Sequence, residues 1–259
     1  MAVRGTALVT GGARRLGRAM VLALAGRGHD VAIHYLGSET EAEATAAEAR
    51  ALGVAARIFR ADLLDEAATY ALIPAVAAAM GPLTVLVNNA SIFEYDNIAT
   101  ATRDSWDRHV GSNLRAPFIL TQEFARQLPP LPHSDPEPLA HGLIVNLIDQ
   151  RVLKPTPEFI TYSLAKAGLW ALTRTSAQAL APQIRVNAIG PGPTMQGARQ
   201  SAEHFARQRA ATILQRGADA DDIARALLYL LDARAVTGQL ICVDGGQHLA
   251  WRTPDIIGD

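Results

Sequence analysis

Three side chains in one stretch of this sequence could move a proton. Tyr162 and Lys166 stand four residues apart, so a helix places both on one face, a turn apart. Asp149 lies thirteen residues upstream of Tyr162, just after the apolar run 142–148, which reads as a buried strand ending there. A free phenol titrates near 10, too high for a donor and acceptor working near neutrality. A lysine ammonium nearby favours the phenolate, so Lys166 is expected to lower the Tyr162 value. Tyr-x-x-x-Lys alone is ordinary helix surface, and it gains meaning only if the rest of the chain builds a site around it.

The elements that must position these groups alternate regularly. Residues 6–10 form a short apolar strand, and Gly11-Gly12-Ala13-Arg14-Arg15-Leu16-Gly17 then turns into an Ala/Leu-rich helix ending near 26–28. Strand, glycine turn and helix N-terminus together make an anion site, with free N–H groups and the helix dipole facing a pyrophosphate. Strands follow at 31–35, 54–59 and 83–87, with helices at 40–52 and 65–80 between them. One long helix is expected over 104–128, carrying Asn113, and another over 159–181, carrying Tyr162 and Lys166. Strands at 184–189 and 239–243 with a helix at 219–231 complete the pattern. Such alternation predicts an α/β fold, one doubly wound domain over 1–259 with a seven-stranded parallel sheet and helices on both faces. A cofactor belongs at the carboxyl ends of its strands, where the polar clusters fall. Residues 129–141 carry five prolines between 129 and 138 and read as a surface loop, and the Arg-rich segment 195–216 reads as a mobile flap over a substrate.

Composition excludes several roles. The 259 residues are 49% apolar and 19% charged, as in a globular protein with a large core. A net charge of −1 offers no basic field for nucleic acid or an anionic membrane. One cysteine, Cys242, excludes an internal disulfide and fits a reducing compartment; its apolar surroundings read as those of a buried structural thiol. No apolar run reaches membrane-spanning length, Pro74 interrupting the longest Ala-rich stretch, and the first strand leaves no room for a signal peptide. A soluble, cytoplasmic protein is expected, and no metal site.

Taken in order, the clusters resemble the short-chain dehydrogenase/reductase family over nearly the whole chain. The marks are Thr10-Gly11 closing on Gly17, Asp62, Asn88-Asn89-Ala90, Asn113, Tyr162 with Lys166, Pro191-Gly192 and Asp244-Gly245-Gly246. Two departures are informative: Arg15 stands where most members carry a second glycine, and Asp149 where they carry serine. Together with Ser91, Phe93, Ile33-His34-Tyr35 and Ser38, these departures look like the pteridine reductase branch, although Gly37 replaces a basic residue usual there.

The resemblance implies a Rossmann-type fold and a nicotinamide cofactor. No Asp or Glu ends the second strand, where His34 and Tyr35 stand, so nothing there repels a 2′-phosphate. Arg14, Arg15 and Ser38 can donate to one, which favours NADPH over NADH, unless the arginines simply project into water. Asp62 and Leu63 would border the adenine, and Leu16 with Gly17 the pyrophosphate. Asn89, Ala90, Pro191 and Gly192 would line the nicotinamide side, with Asn89 alternatively tying neighbouring strands. Tyr162 would be the proton donor, Lys166 the ribose ligand, and Asn113 the holder of a water or of a helix kink.

An ionised Asp149 cannot donate to a carbonyl as serine does, but it can accept from the N–H groups of a pterin. Phe93 would stack on that flat ring or line its pocket, with Arg15 and Ser91 on its polar edge. The expected reaction is NADPH-dependent reduction of a dihydropterin, such as dihydromonapterin, dihydrobiopterin or dihydrofolate, to the tetrahydro form. The alternatives are a carbonyl or alcohol reductase in which Asp149 is a decayed serine, and a dinucleotide-binding regulatory protein without catalysis. A homotetramer is implied too, joined partly through the Leu164, Leu169, Trp170 and Leu172 face of the Tyr162 helix.

Overall fold

Strands that pack helices on both faces must be apolar throughout, and this explains why β1 (Thr6–Val9) and β5 (Gly142–Leu147) are buried at every residue. The computed structural model describes residues 5–129, 137–197 and 200–252. Its other strands are β2 (Asp30–Tyr35), β3 (Ala56–Arg60), β4 (Leu83–Asn88), β6 (Ile184–Pro191) and β7 (Leu240–Val243). All seven pair in parallel in the order β3-β2-β1-β4-β5-β6-β7. The chain winds outward from β1 to β3, then returns to β4 on the other side of β1. That reversal opens a crevice at the carboxyl ends of β1 and β4.

Helices α1 (Arg15–Gly26), α2 (Glu39–Ala51) and α8 (Ala220–Asp232) cover one face, burying Met20, Leu24, Ala46, Ile223 and Leu227 against the sheet. The opposite face is covered by α3 (Glu66–Met80), α5 (Ala116–Gln127) and α6 (Ile160–Ala179), through Ile73, Val76, Leu120, Phe124 and Ala177. A short α7 (Ala202–Ala210) is the helical part of the predicted flap.

The expected helix over 104–128 is not continuous. It divides into α4 (Arg103–Val110), a π-helical turn at Gly111–Arg115, and α5. Pro117, at the start of α5, has no N–H to return to the carbonyl four residues back, that of Asn113, so a regular ladder cannot pass this point. The turn at Asn113 is therefore written into the sequence by a proline that the periodicity alone hides. Two short 3₁₀ turns, Gln150–Val152 and Gln247–Leu249, were not expected. Most of the Pro-rich loop (130–136) and the end of the tail (253–259) lie outside the described residues. Among the described residues no helix is long and apolar enough to cross a membrane, and no His, Cys, Asp and Glu group could hold a metal ion.

Candidate active site

The glycine turn between β1 and α1 is built for close approach. Gly11 has φ +62°, and a Cβ on Gly17 would lie 2.1 Å from the Gly11 carbonyl oxygen. Only glycine lets the helix start this near the strand. His34 braces the turn from β2: the Gly11 N–H donates to its Nδ1 at 3.0 Å, so Nε2 carries the proton and donates to the Ala61 carbonyl at 3.0 Å. Burial lowers the His34 pKa against the opposing pull of the Ala61 bond and Asp62, keeping the ring neutral. Predicted as a cofactor contact, His34 is a wall of the cleft whose two nitrogens are already spent. Asn89 takes its structural alternative, donating to the carbonyls of Thr10 (2.8 Å) and Gly11 (3.2 Å), while Thr10 Oγ1 accepts from the N–H groups of Asn89 and Ala90.

These braces frame a cleft of about 830 Å³ at the switch point. Gly11, Arg14, Arg15, Leu16, Gly17, His34, Tyr35, Ser38, Asp62, Leu63, Asn89, Ala90 and Ser91 all border it. Ser38 sits at the head of α2 with its side chain in no cap hydrogen bond, and Arg14 is largely exposed, 4.0 Å from Glu41.

Arg15 behaves otherwise. It holds φ +54°, the conformation that the usual glycine adopts freely, at a cost to arginine of about 1–2 kcal/mol. Its guanidinium donates to the carbonyls of Gln196 (3.0 Å) and Met195 (3.2 Å), at the start of the flap. Arg15 thus borders the cleft while tying the glycine turn to the segment that begins at Met195.

Beyond Ser91, at the carboxyl ends of β5 and β6, the acid/base residues converge; Asp149, Tyr162, Lys166, Pro191 and Gly192 lie here, outside the lining of the cleft. The Tyr162 hydroxyl donates to Asp149 Oδ2 at 3.0 Å, and the Arg151 N–H donates to Asp149 Oδ1 at 2.9 Å. Lys166 Nζ donates to the Leu147 carbonyl at 2.7 Å and lies 5.7 Å from the Tyr162 ring centre.

The expected lowering of the phenol is reversed. Burial, then the Asp149 charge and hydrogen bond, push Tyr162 well above its usual 10, so it holds its proton at neutral pH. Burial also raises Asp149, against the pull of Arg151, Tyr162 and Lys166, and brings Lys166 down to about 8, with Asp149 opposing. Asp149 and Tyr162 form a pair that retains a proton on the phenol and releases it only to a stronger base.

The Asn113 side chain binds both main-chain groups of Ile92. Oδ1 accepts the Ile92 N–H at 2.9 Å and Nδ2 donates to the Ile92 carbonyl at 2.8 Å.

Phe93 is half-exposed and its ring stacks on Phe159 at 4.3 Å and 12°, while meeting Tyr162 edge-on at 4.7 Å. The Arg151 guanidinium caps both phenyl rings, at 5.9 Å and 5.0 Å. Phe159 was missed by sequence reasoning, although it stands three residues before Tyr162, at the head of the expected helix. It is also left-handed, at φ +56°, a strained conformation for an aromatic residue. Ser91 is exposed, and its hydroxyl donates to the Ile92 carbonyl at 3.3 Å.

Two further expectations change. Cys242 is only partly buried, with a thiol pushed up to about 11 by burial, Asp244 and Asp149, which leaves it unreactive near neutrality. Leu164 is exposed but Leu169 is buried in the chain's own core, so the supposed apolar outer face of α6 does not run through both.

A family model described as enoyl-(acyl carrier protein) reductase matches residues 11–248. The 3-oxoacyl-(acyl-carrier-protein) reductase FabG of Staphylococcus aureus strain Mu50 is 32% identical over 256 residues, covering 96% of this chain and all of that one. Among solved structures, FolM alternative dihydrofolate reductase 1 from Brucella canis, complexed with NADP, superimposes with a TM-score of 0.90 at 45% identity, covering 98% of each chain. A blue fluorescent protein from a metagenomic library, in complex with NADPH, does so at 0.86 and 30%, covering 95% of this chain and 99% of that one. With the glycine turn, the Asn-Asn-Ala turn and the Tyr162–Lys166 pair in one frame, the chain belongs to the short-chain dehydrogenase/reductase family of oxidoreductases.

Proposed function

We propose that this chain is an NADPH-dependent pteridine reductase that reduces a dihydropterin to its tetrahydro form. The observation that carries the reading is the Tyr162–Asp149 hydrogen bond, a carboxylate paired with a protonated phenol where the family's ketone reductases use serine.

The cleft suits the cofactor. A Cβ at Gly17 would fill the space beside the Gly11 carbonyl, so the turn is kept open for a backbone cradle at the α1 N-terminus. Arg14 and Ser38 are available to a 2′-phosphate, and no acid ends β2. Tyr162 and Lys166 would hold the nicotinamide ribose, with Ala90, Pro191 and Gly192 along the ring. The bound cofactor supplies a hydride.

The residues of the chain do the rest. Asp149 Oδ1 and Oδ2 face the donors of a pterin edge, for which an acceptor-only group is matched. The exposed part of the Phe93 ring offers a flat surface beside Tyr162 for a planar heterocycle. As the substrate ring nitrogen becomes basic on reduction, Tyr162 Oη would turn its proton from Asp149 Oδ2 to that nitrogen, leaving a phenolate beside the carboxylate. Lys166, still mostly charged below about pH 8, offsets the negative charge that then spreads over the pair.

The likeness to FabG favours a second reading, reduction of a 3-oxoacyl ketone. Against it, an ionised Asp149 opposes the oxyanion that forms on a ketone.

Transfer of deuterium tests the choice. With NADPH deuterated at the reactive carbon, a dihydropterin should yield tetrahydropterin heavier by one mass unit, and NADH should serve poorly. Unlabelled pterin alongside labelled alcohol from a ketone would refute the proposal.

A further inference from the structure

Asp96 lies on the segment after β4, away from the reacting groups, and is only 2% exposed. Its carboxylate collects donors from two other elements. Oδ1 accepts the Thr161 N–H at 3.3 Å, while Oδ2 accepts the Thr161 hydroxyl in a short hydrogen bond and the Ser105 hydroxyl at 3.1 Å. The Asp96 carbonyl accepts the Phe159 N–H at 2.7 Å. Helix α6 has no side-chain cap from its own N-cap residue and no acid in its first turn. Its first N–H groups would otherwise be unmatched. A residue sixty-five positions upstream therefore caps the helix that carries Tyr162. Burial opposes the charge on Asp96, but the hydrogen bonds from Thr161 and Ser105, with His109 nearby, outweigh it and lower its pKa.

His109 extends the arrangement. The ring is fully buried, and Nε2 accepts the Glu94 N–H at 3.1 Å, so Nδ1 carries the proton and donates to Thr161 Oγ1 at 2.7 Å. Its edge faces the Tyr162 ring at 6.1 Å. The Thr161 hydroxyl thus receives from His109 and gives to Asp96, which fixes its orientation. Glu94 follows Phe93 in the chain and Thr161 precedes Tyr162. The two walls of the substrate region, the Phe93 loop and the head of α6, are joined through this one buried chain of hydrogen bonds.

We propose that Asp96, Thr161 and His109 form a positioning network that sets the separation between the Phe93 ring and the Tyr162 hydroxyl. It determines where the proton donor stands relative to a substrate lying on Phe93, and it rests on the reading of Tyr162 as that donor. None of the three touches the reacting atoms, so the network acts on kcat and leaves cofactor affinity alone.

Thr161→Val keeps the shape and removes the hydroxyl, Thr161→Ser keeps the hydroxyl, and Asp96→Asn keeps the shape and removes the charge. Each is assayed with NADPH and whichever substrate, pterin or ketone, the wild type reduces. Thr161→Val and Asp96→Asn are expected to lower kcat about tenfold or more, since small displacements of a reacting group have effects of this size. NADPH affinity stays within about twofold of wild type, and Thr161→Ser keeps about half of kcat or better. Amide hydrogen exchange at residues 159–161 quickens in Asp96→Asn, a readout that needs no turnover.

Thr161→Val or Asp96→Asn retaining kcat within about twofold overturns the proposal, as does parallel loss of NADPH affinity or unchanged amide exchange. Wild-type turnover of ketones alone refutes the pterin reading yet leaves these ratios measurable. Full activity in Tyr162→Phe refutes Tyr162 as donor instead.

Discussion

Replacing Asp149 with serine separates the two chemistries this fold could run. The Asp149 carboxylate reaches the Tyr162 hydroxyl at 3.0 Å. A serine hydroxyl ends one bond earlier, a shortening of about 1.2 Å, which leaves a gap of about 4 Å. That gap is too wide for a direct hydrogen bond, but it admits a carbonyl oxygen between two hydroxyl donors. It also removes the charge that helps raise the Tyr162 pKa, so the phenol moves down toward its ordinary range. For a dihydropterin the variant loses its acceptor for ring N–H groups and the partner that orients the Tyr162 hydroxyl. General acid–base groups contribute about 10²–10⁴-fold, or about 2.7–5.5 kcal/mol of barrier. Asp149→Ser should therefore lower kcat/KM for a dihydropterin by about a hundredfold or more, while ketone reduction holds or improves. The assay is loss of reduced-nicotinamide absorbance under steady-state conditions, with NADPH affinity measured separately by fluorescence. Dihydropterin turnover within about threefold of wild type would refute the role given to the carboxylate.

Three further outcomes follow from the geometry. Lys166 titrates near 8 in the folded protein and 10.5 unperturbed, so kcat should fall above about pH 8 as the ammonium is lost; a rate flat to pH 10 would contradict this. The stability sign runs the other way, because between 8 and 10.5 the unfolded chain binds more protons at this site, contributing up to about 3 kcal/mol of added stability as pH rises. Phe93→Ala should raise the KM for a dihydropterin by about 5- to 150-fold, from the loss of about 1–3 kcal/mol of stacking, with NADPH affinity unchanged; an unaltered KM would make Phe93 mere lining. His34→Ala leaves the Gly11 N–H and Ala61 carbonyl without their partner, costing about 3 kcal/mol and about 6–12 °C in Tm by calorimetry; an unshifted melt would mean that the brace is not structural.

The fold was legible because each buried strand announces itself as an apolar run and each polar cluster falls at a strand's end. Tyr162, Lys166 and Asp149 were legible for the same reason, since helix spacing and a strand terminus fix where they meet. The direction of the Tyr162 pKa was not, because spacing shows that Lys166 is near but not that burial and Asp149 outweigh it. The tie made by Arg15 was not legible for a related reason: an arginine beside a glycine turn suits a phosphate, and only three-dimensional structure brings the carbonyls of Met195 and Gln196 within its reach. The π turn at Asn113 carried a signal in Pro117 that apolar periodicity does not register. His34 and Asn89 show that polar residues bordering the cleft also brace the glycine turn that frames it.

The most direct test of the central claim is kcat/KM of the wild-type protein with NADPH for dihydromonapterin, dihydrobiopterin and dihydrofolate beside a panel of 3-oxoacyl and simple ketones. The Tyr162–Asp149 pair predicts turnover of at least one dihydropterin well above every ketone. Efficient ketone reduction with no dihydropterin turnover would contradict it, and would make Asp149 a replaced serine in an ordinary carbonyl reductase.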